Sequence, residues 1–210
     1  MIVALETSST DLSIAVAVPE QRRVLVDAWS GGQRHARELL PRLVALASRL
    51  GVPLGSAAAV VVGIGPGSFT GLRVGVSVAK GIALGAGCPI IGHSSLTAWL
   101  DAEPHARAAL GRAGVAEGYL LRRNAGAPAI VELGAIAPED GPLVAPAELI
   151  EQLRLADARP PYGSARALVD IATRRLAAGG GGDALETLEP AYLRQPRGVE
   201  GAAVAASGTP

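Results

Sequence analysis

The stretch GIGPGSFTGLRVGVSVAKGIALG, residues 63–85, contains the clearest turn in the chain. It follows an apolar run over 57–62, which is typical of a strand buried on both faces. The pattern after the turn predicts a helix over 69–84. A strand, a glycine turn and a helix N-terminus in this order can bind an anion. Glycines also allow two backbones to pack closely, so both uses of the turn stay open.

Two known phosphate-binding patterns do not fit this turn. The Walker A pattern G-x-x-x-x-G-K-[ST] is absent in every register. The dinucleotide pattern G-x-G-x-x-G is met by Gly65 and Gly67, but Thr70 stands at its third position. Either Ser68 or Thr70 can instead cap the helix through its hydroxyl group.

Small residues recur every four positions along the predicted helix, at Gly71, Gly75, Ala79 and Ala83. Each interior glycine costs roughly 0.5–1 kcal/mol relative to alanine, so the helix needs close packing to be stable. The stripe can pack on the lobe's own sheet or against another subunit. Both alternatives stay open from the sequence.

The flanking elements predict an α/β lobe. Apolar runs over 2–5, 13–18 and 24–29 are close enough in sequence to form an antiparallel meander. A leucine pattern predicts a helix that ends at Gly51, and residues 89–91 predict another strand. Meander, helix, strand, helix and strand is the order found in ribonuclease H-like and actin-like folds. We therefore expect an α/β fold of this type.

The signals weaken after Glu103. We expect an N-terminal lobe over 1–103, a smaller C-terminal lobe over 104–197 and a disordered tail over 198–210. Within the second lobe, the sequence predicts paired strands over 118–123 and 129–136 and helices over 146–155 and 164–178.

Composition limits the class of protein. Nineteen basic residues balance nineteen acidic ones, so the chain has no general attraction for nucleic acid. Cys88 is the single cysteine, which excludes an internal disulfide. The N-terminus does not resemble a signal peptide, and the most apolar window, 63–91, is interrupted by Arg73 and Lys80. We expect a cytoplasmic protein without membrane contact.

Candidates for chemistry are few. Glu6 ends the first predicted strand, and the loop Glu6-Thr7-Ser8-Ser9 can be a degenerate phosphate loop, so Glu6, Thr7 and Ser8 are the candidate cofactor contacts. The second lobe lacks the acid-glycine turn that an actin-like ATPase needs. The three histidines are not spaced to bind a metal from one helix. We expect no catalytic and no metal-binding residues, with an independent actin-like ATPase or small-molecule kinase as the alternative.

Four segments resemble the TsaB (YeaZ) family: ALETSSTDLSIAV (4–16), RHAREL (34–39), the run from Gly63 to Leu96, and EPAYLR (189–194). The resemblance is strong over residues 1–100 and weak over 104–180. It implies an actin-like (ASKHA) fold with two lobes, each a mixed sheet flanked by helices, that has lost its own catalytic site.

The resemblance also implies partners. Family members are partner subunits in bacterial formation of threonylcarbamoyladenosine (t6A) in tRNA. The catalytic paralogue TsaD transfers the threonylcarbamoyl group to the adenosine beside the anticodon, and the small ATPase TsaE joins the pair. ATP and a metal ion are expected in those partner subunits and no cofactor in this chain. tRNA is reached through the complex, and a homodimer is the expected alternative assembly.

The resemblance places the partner interface on the helices over 34–50 and 69–84. The predicted contact residues are His35, Leu39, Leu43, Gly71, Arg73, Gly75, Ala79 and Ala83. One departure from the family stands at the start of the second lobe, where Arg112 replaces an acid.

Overall fold

The computed structural model describes residues 1–30 and 35–193, without the side chains of His35, Ala36 and Pro138. The strands are β1 (Ile2–Glu6), β2 (Asp11–Val18), β3 (Arg23–Ser30), β4 (Ala59–Gly63), β5 (Ile90–His93), β6 (Ala108–Arg112), β7 (Glu117–Arg122), β8 (Ala129–Glu132), β9 (Leu143–Val144) and β10 (Ala158–Arg159). The α-helices are α1 (His35–Arg49), α2 (Phe69–Ala86), α3 (Ser95–Ala102), α4 (Ala147–Leu153) and α5 (Ser164–Ala177).

The first sheet has the strand order β3-β2-β1-β4-β5. β1 pairs antiparallel with β2 and parallel with β4, and β3 completes the predicted meander. Every residue of β1, β2 and β4 is buried, because α1 and α2 cover one face of the sheet and α5 covers the other. This burial explains why β4 is a continuous apolar run.

The second sheet has the order β10-β9-β6-β7-β8. It is also mixed, since β6 pairs antiparallel with β7 and parallel with β9. Two mixed sheets flanked by helices confirm the predicted actin-like, ribonuclease H-like class. β6 was not predicted, because its sequence AALGR has no β-branched or aromatic residue.

The chain after residue 163 returns to the first sheet. Helix α5 packs on β1 and β2, and the amide of Asp183 donates to the Ile90 carbonyl of β5 at 2.7 Å. A boundary after residue 103 stays our proposal for the point where the chain enters the second lobe. The predicted disordered tail, residues 198–210, lies outside the described residues.

Helix α2 begins at a serine cap. The Ser68 hydroxyl accepts from the Gly71 amide at 3.2 Å, which decides between the two predicted caps, Ser68 and Thr70. The helix ends at Gly87, whose left-handed backbone (φ +62°) suits glycine. No helix in residues 1–30 or 35–193 is both long enough and apolar enough to cross a bilayer.

Candidate functional site

A cleft of about 930 Å³ lies between the two sheets. One wall consists of the loop after β1 and the N-terminus of α2. The other wall consists of the β6–β7 turn and the N-terminus of α4. Its lining includes Ser8, Ser9, Thr10, Phe69, Arg112 and Tyr192.

Glu6 does not line this cleft. Its carboxylate is buried beneath the loop, where Oε1 accepts from the Ser8 amide at 2.8 Å. A Cβ at Gly63 would overlap Glu6 Oε2, so this residue must be glycine for the carboxyl group to fit. Burial raises the pKa of Glu6 above its ordinary value, which favours the neutral acid. The predicted cofactor contact at Glu6 is therefore wrong.

Thr7 is also directed into the lobe. Its Oγ1 donates to the Gly71 carbonyl of α2 at 2.9 Å, and the side chain is fully buried. Only Ser8, of the three residues predicted to contact a cofactor, lines the cleft, and its carbonyl accepts from the Ser68 amide at 2.6 Å. The correction follows from the close packing of the loop against α2.

Asp11 ties the two lobes together. Its Oδ2 accepts from the Ala147 amide at the start of α4 at 2.5 Å, and its Oδ1 accepts from the Tyr162 hydroxyl at 3.3 Å. Ser13 holds α5 on the first sheet, because its hydroxyl accepts from the Ala165 amide at 3.0 Å. The Asp11 carboxylate is therefore engaged in holding α4.

Arg112 lies on the second wall. Its Nε donates to Glu148 at 2.9 Å and its Nη2 donates to Gln152 at 2.6 Å, both on α4. Within the described part of the chain, no three histidine, cysteine or acidic residues are grouped to hold a metal ion.

Most of the predicted interface residues lie inside the N-terminal lobe. Leu39, Leu43, Gly71, Gly75, Ala79 and Ala83 are all buried against the first sheet and the loop after β1. Their prediction as partner contacts is corrected, because they present no surface. The small stripe packs on its own lobe, and a Cβ at Gly71 or Gly75 would overlap Thr7. The side chain of His35 lies outside the described residues.

Arg73, which the sequence predicts as a partner contact, is exposed. Its guanidinium lies 3.9 Å from the centre of the Phe69 ring, and its Nε donates to the Tyr192 hydroxyl at 3.1 Å. The Phe69 and Tyr192 rings are 5.2 Å apart. Arg73 therefore stands between the cleft and the outer side of α2.

The outer sides of α1 and α2 form a second candidate surface, which we call the outward face. Both helices pack on the same side of the first sheet and contact each other. Leu40, Val44 and Leu84 are 45%, 48% and 73% exposed there. The exposed small residues Ser77, Gly81 and Gly85 follow one another at intervals of four along α2.

The sequence predicts partner contacts on the buried sides of α1 and α2. The exposed residues of the outward face lie one or two positions away along each helix. The leucine pattern of α1 identifies its buried side, and Leu40 and Val44 lie beside it. The sequence does contain Gly81 and Gly85 as a second small patch, but only the structure shows that this patch is exposed. No atom lies within 4 Å of a Cβ built at either glycine.

Comparison with known proteins finds sequence matches to about half of the chain. A family model described as TsaD: tRNA N6-adenosine threonylcarbamoyltransferase matches residues 30–112. TsaB from Haemophilus influenzae is 35% identical over 101 residues, 48% of this chain and 42% of that protein. TsaB from Escherichia coli is 32% identical over 105 residues, 45% of this chain and 40% of that protein.

Solved structures match nearly the whole chain. YeaZ from Pseudomonas aeruginosa has a TM-score of 0.71 and 25% identity, with 91% of this chain and 99% of that chain covered. A second P. aeruginosa structure, described as similar to peptidase YEAZ, has a TM-score of 0.72 and 27% identity over 92% of this chain and 99% of that one. The chain is similar to TsaB (YeaZ) proteins, in sequence over about half of its length and in fold over nearly all of it.

The TsaB-like segments coincide with the packed part of the N-terminal lobe. Residues 4–16 form β1, the tight loop and β2, and residues 63–96 contain the turn, α2 and β5. The matched region spans less than half the length of the two curated TsaB relatives.

Proposed function

We propose that this chain is the non-catalytic partner subunit of a complex that forms t6A in tRNA, and that it binds a TsaD-like catalytic paralogue through the outward face. Similarity to two proteins supports the pathway, since both are named tRNA threonylcarbamoyladenosine biosynthesis proteins. tRNA is reached through the complex, a TsaE-like ATPase joins it, and the assembly is cytoplasmic.

The observation that carries the proposed interface is the pair of open glycines on α2. Gly71 and Gly75 are required by contacts within the lobe, whereas Gly81 and Gly85 have open space where a side chain would lie. A helical glycine costs roughly 0.5–1 kcal/mol relative to alanine. A partner helix that approaches the backbone at Gly81 and Gly85 would explain why this surface lacks side chains.

The outward face also has apolar groups beside the glycines. Leu84 projects from α2, and Leu40 and Val44 form an apolar row on α1. Apolar side chains beside a strip of small residues favour close packing of another helix. We therefore propose that α1 and α2 of this chain pack against helices of the partner. The same surface serves for a homodimer when the paralogue is absent, because a two-fold contact uses one face twice.

The cleft supports a non-catalytic role for the chain itself. The two carboxylates that flank the loop after β1 are engaged, Glu6 inside the loop and Asp11 at the start of α4. The single lysine of the chain, Lys80, lies on α2 outside the cleft lining. Phosphoryl transfer depends on positioned cations and metal-binding carboxylates. We infer that catalysis belongs to the paralogue.

One observation favours the alternative, an independent ATPase or small-molecule kinase. The cleft lies at the carboxyl ends of β1 and β4 and beside the N-terminus of α2, which is where α/β proteins bind phosphates. Titration calorimetry of the purified chain with ATP and Mg²⁺ tests it. Measurable heat and ATP turnover would establish this alternative, and their absence would remove it.

Binding to the purified TsaD-like paralogue tests the proposed interface. We expect Gly81→Leu and Leu84→Glu to weaken the affinity by about tenfold or more, because they place bulk or charge at the centre of the proposed contact, where the hot-spot groups of an interface lie. Ile130→Glu, at an exposed site on the second sheet, is the matched control and should bind normally. Unchanged affinity in both outward-face variants would overturn the assignment.

A further inference from the structure

A second cavity, of about 570 Å³, lies at the end of the second sheet that is opposite the cleft. The β6–β7 turn lines the cleft at one end of these two antiparallel strands. At their other end, Arg107 precedes β6, Arg122 ends β7 and Arg123 follows it. All three arginines line the cavity, which we call the arginine pocket.

Arg123 is held in place by the chain around the C-terminus of α3. Its Nε donates to the Ala106 carbonyl at 2.8 Å, and its Nη2 donates to the carbonyls of Leu100 and Glu103, both at 2.8 Å. A guanidinium group has more N–H donors than these bonds use. Its Nη1 makes no hydrogen bond within residues 1–30 and 35–193, so a fixed arginine keeps free donors.

Arg122 is fixed by an ion pair. Its Nε donates to Asp140 Oδ1 at 2.8 Å, and Asp140 Oδ2 accepts from the Ala137 amide at 3.1 Å. The Asp140 side chain is 5% exposed, whereas that of Arg122 is 57% exposed. The buried carboxylate therefore anchors the arginine by one nitrogen and leaves the two Nη groups for a ligand.

Arg107 differs from both, because its side chain is exposed and forms no hydrogen bond or ion pair with the part of the chain that the structure describes. Its main chain is fixed on both sides. The Arg107 amide donates to the Pro142 carbonyl at 2.7 Å, and its carbonyl accepts from the Arg123 amide at 2.7 Å. Arg107 is therefore a free cation on a rigid backbone.

The arginine pocket is positively charged, although the whole chain is neutral. Three arginines line it against two acids, the exposed Glu139 and the paired Asp140, and the exposed His105 adds a ring that can donate. The planar guanidinium group can form paired hydrogen bonds to the oxygens of a phosphate. The pocket therefore favours an anion with several oxygens.

We propose that the arginine pocket binds a phosphate group of an RNA backbone, with Arg107 as the free cation and Arg122 and Arg123 as fixed donors. The proposal rests on the proposed function for the identity of this RNA, the tRNA substrate. Arg107 and Arg122 are exposed, which suits a phosphate presented by a large molecule. Because the chain has no overall positive charge, this contact orients the RNA more than it adds affinity.

Nuclear magnetic resonance titration of the full chain with a short RNA stem-loop tests the proposal, since it locates weak binding residue by residue. We expect the Nε–Hε signals of Arg107, Arg122 and Arg123 to shift at low salt. Arg107→Glu should weaken the RNA affinity by about fivefold or more, because it reverses the free cation. Arg22→Glu makes the same charge change at an exposed site of the first lobe and should alter the affinity by about twofold or less.

Inorganic phosphate at the same total phosphate concentration separates the two sources of this ligand, and it should shift these signals much less than RNA. The proposal is overturned by equal shifts with inorganic phosphate, by no shifts with RNA, or by equal effects of the two variants. The paralogue is absent from the measurement. A chain that shows these shifts but does not bind the paralogue would keep the RNA contact and lose the proposed function.

Discussion

Two glycines on one helix are there for different reasons. Gly71 lies against the Thr7 carbonyl, whereas Gly81 faces open space. We predict that Gly71→Ala lowers the free energy of unfolding by about 1–3 kcal/mol through overpacking. Gly81→Ala should raise it by about 0.5–1 kcal/mol through helix propensity. Urea denaturation of both variants checks this, and equal effects would contradict the packing described for α2.

Glu6 gives a prediction about pH. Its pKa in the folded chain is raised by burial above the ordinary value of 4.5, so folding favours the protonated acid. Its contribution to stability is fully present below about pH 4.5 and decreases as pH rises through the raised folded pKa. Glu6→Gln keeps an oxygen for the Ser8 amide and cannot ionise.

The comparison of wild type with Glu6→Gln isolates this residue. The free energy of unfolding of wild type minus that of Glu6→Gln should fall as pH increases above about 4.5, and thermal or urea unfolding at several pH values measures it. A difference that stays constant, or that rises with pH, would show that the Glu6 carboxyl is not desolvated.

At the residue scale, the sequence identifies the small residues of α2 that pack closely, but it does not show what they pack against. The stripe of Gly71, Gly75 and Ala79 was found, and packing on its own sheet was one of two readings. Helical periodicity shows which residues share a side but not which side faces the sheet. The contact between Gly75 and Thr7 shows that this glycine packs within its own lobe.

At the element scale, Ser68 caps the N-terminus of α2, where the glycine turn ends and the helix begins. We predict that Ser68→Ala lowers the free energy of unfolding by about 1 kcal/mol, because the Gly71 amide loses its acceptor. Ser77→Ala, on the exposed side of the same helix, is the control and should not destabilise. Thermal unfolding measures both, and a neutral Ser68→Ala would contradict the cap.

The first-lobe elements were predicted well because their patterns are strong. The strands β1–β3 alternate with short turns, β4 is continuously apolar, and α1 and α2 have clear periods. In the second lobe, β6 was missed, and β9 and β10 have two residues each, too few for any pattern. Their pairing depends on neighbours distant in sequence.

For the whole molecule, Asp11 is the clearest link between the lobes. We predict that Asp11→Ala lowers the free energy of unfolding by about 2 kcal/mol or more and speeds amide exchange at the start of α4, since Ala147 loses its acceptor. Tyr162→Phe removes only the longer bond to Asp11 and should have a smaller effect. Hydrogen exchange that is unchanged in Asp11→Ala would contradict this link.

The arrangement of the whole molecule was the part that the sequence predicted least. The sequence placed α5 in the second lobe, whereas it packs on the first sheet. The cleft and the outward face both combine residues far apart in sequence, such as Thr10 with Val115. No periodicity within one element encodes such a neighbour.

The central claim is that this chain activates a catalytic paralogue through the outward face. Its most direct test is reconstitution of t6A formation from the purified paralogue, a TsaE-like ATPase, this chain and unmodified tRNA, measured by nucleoside mass spectrometry. We predict t6A with the wild-type chain, little with Leu84→Glu, and none from this chain alone. Full t6A formation with Leu84→Glu and Gly81→Leu, or t6A made by this chain without the paralogue, would contradict the account.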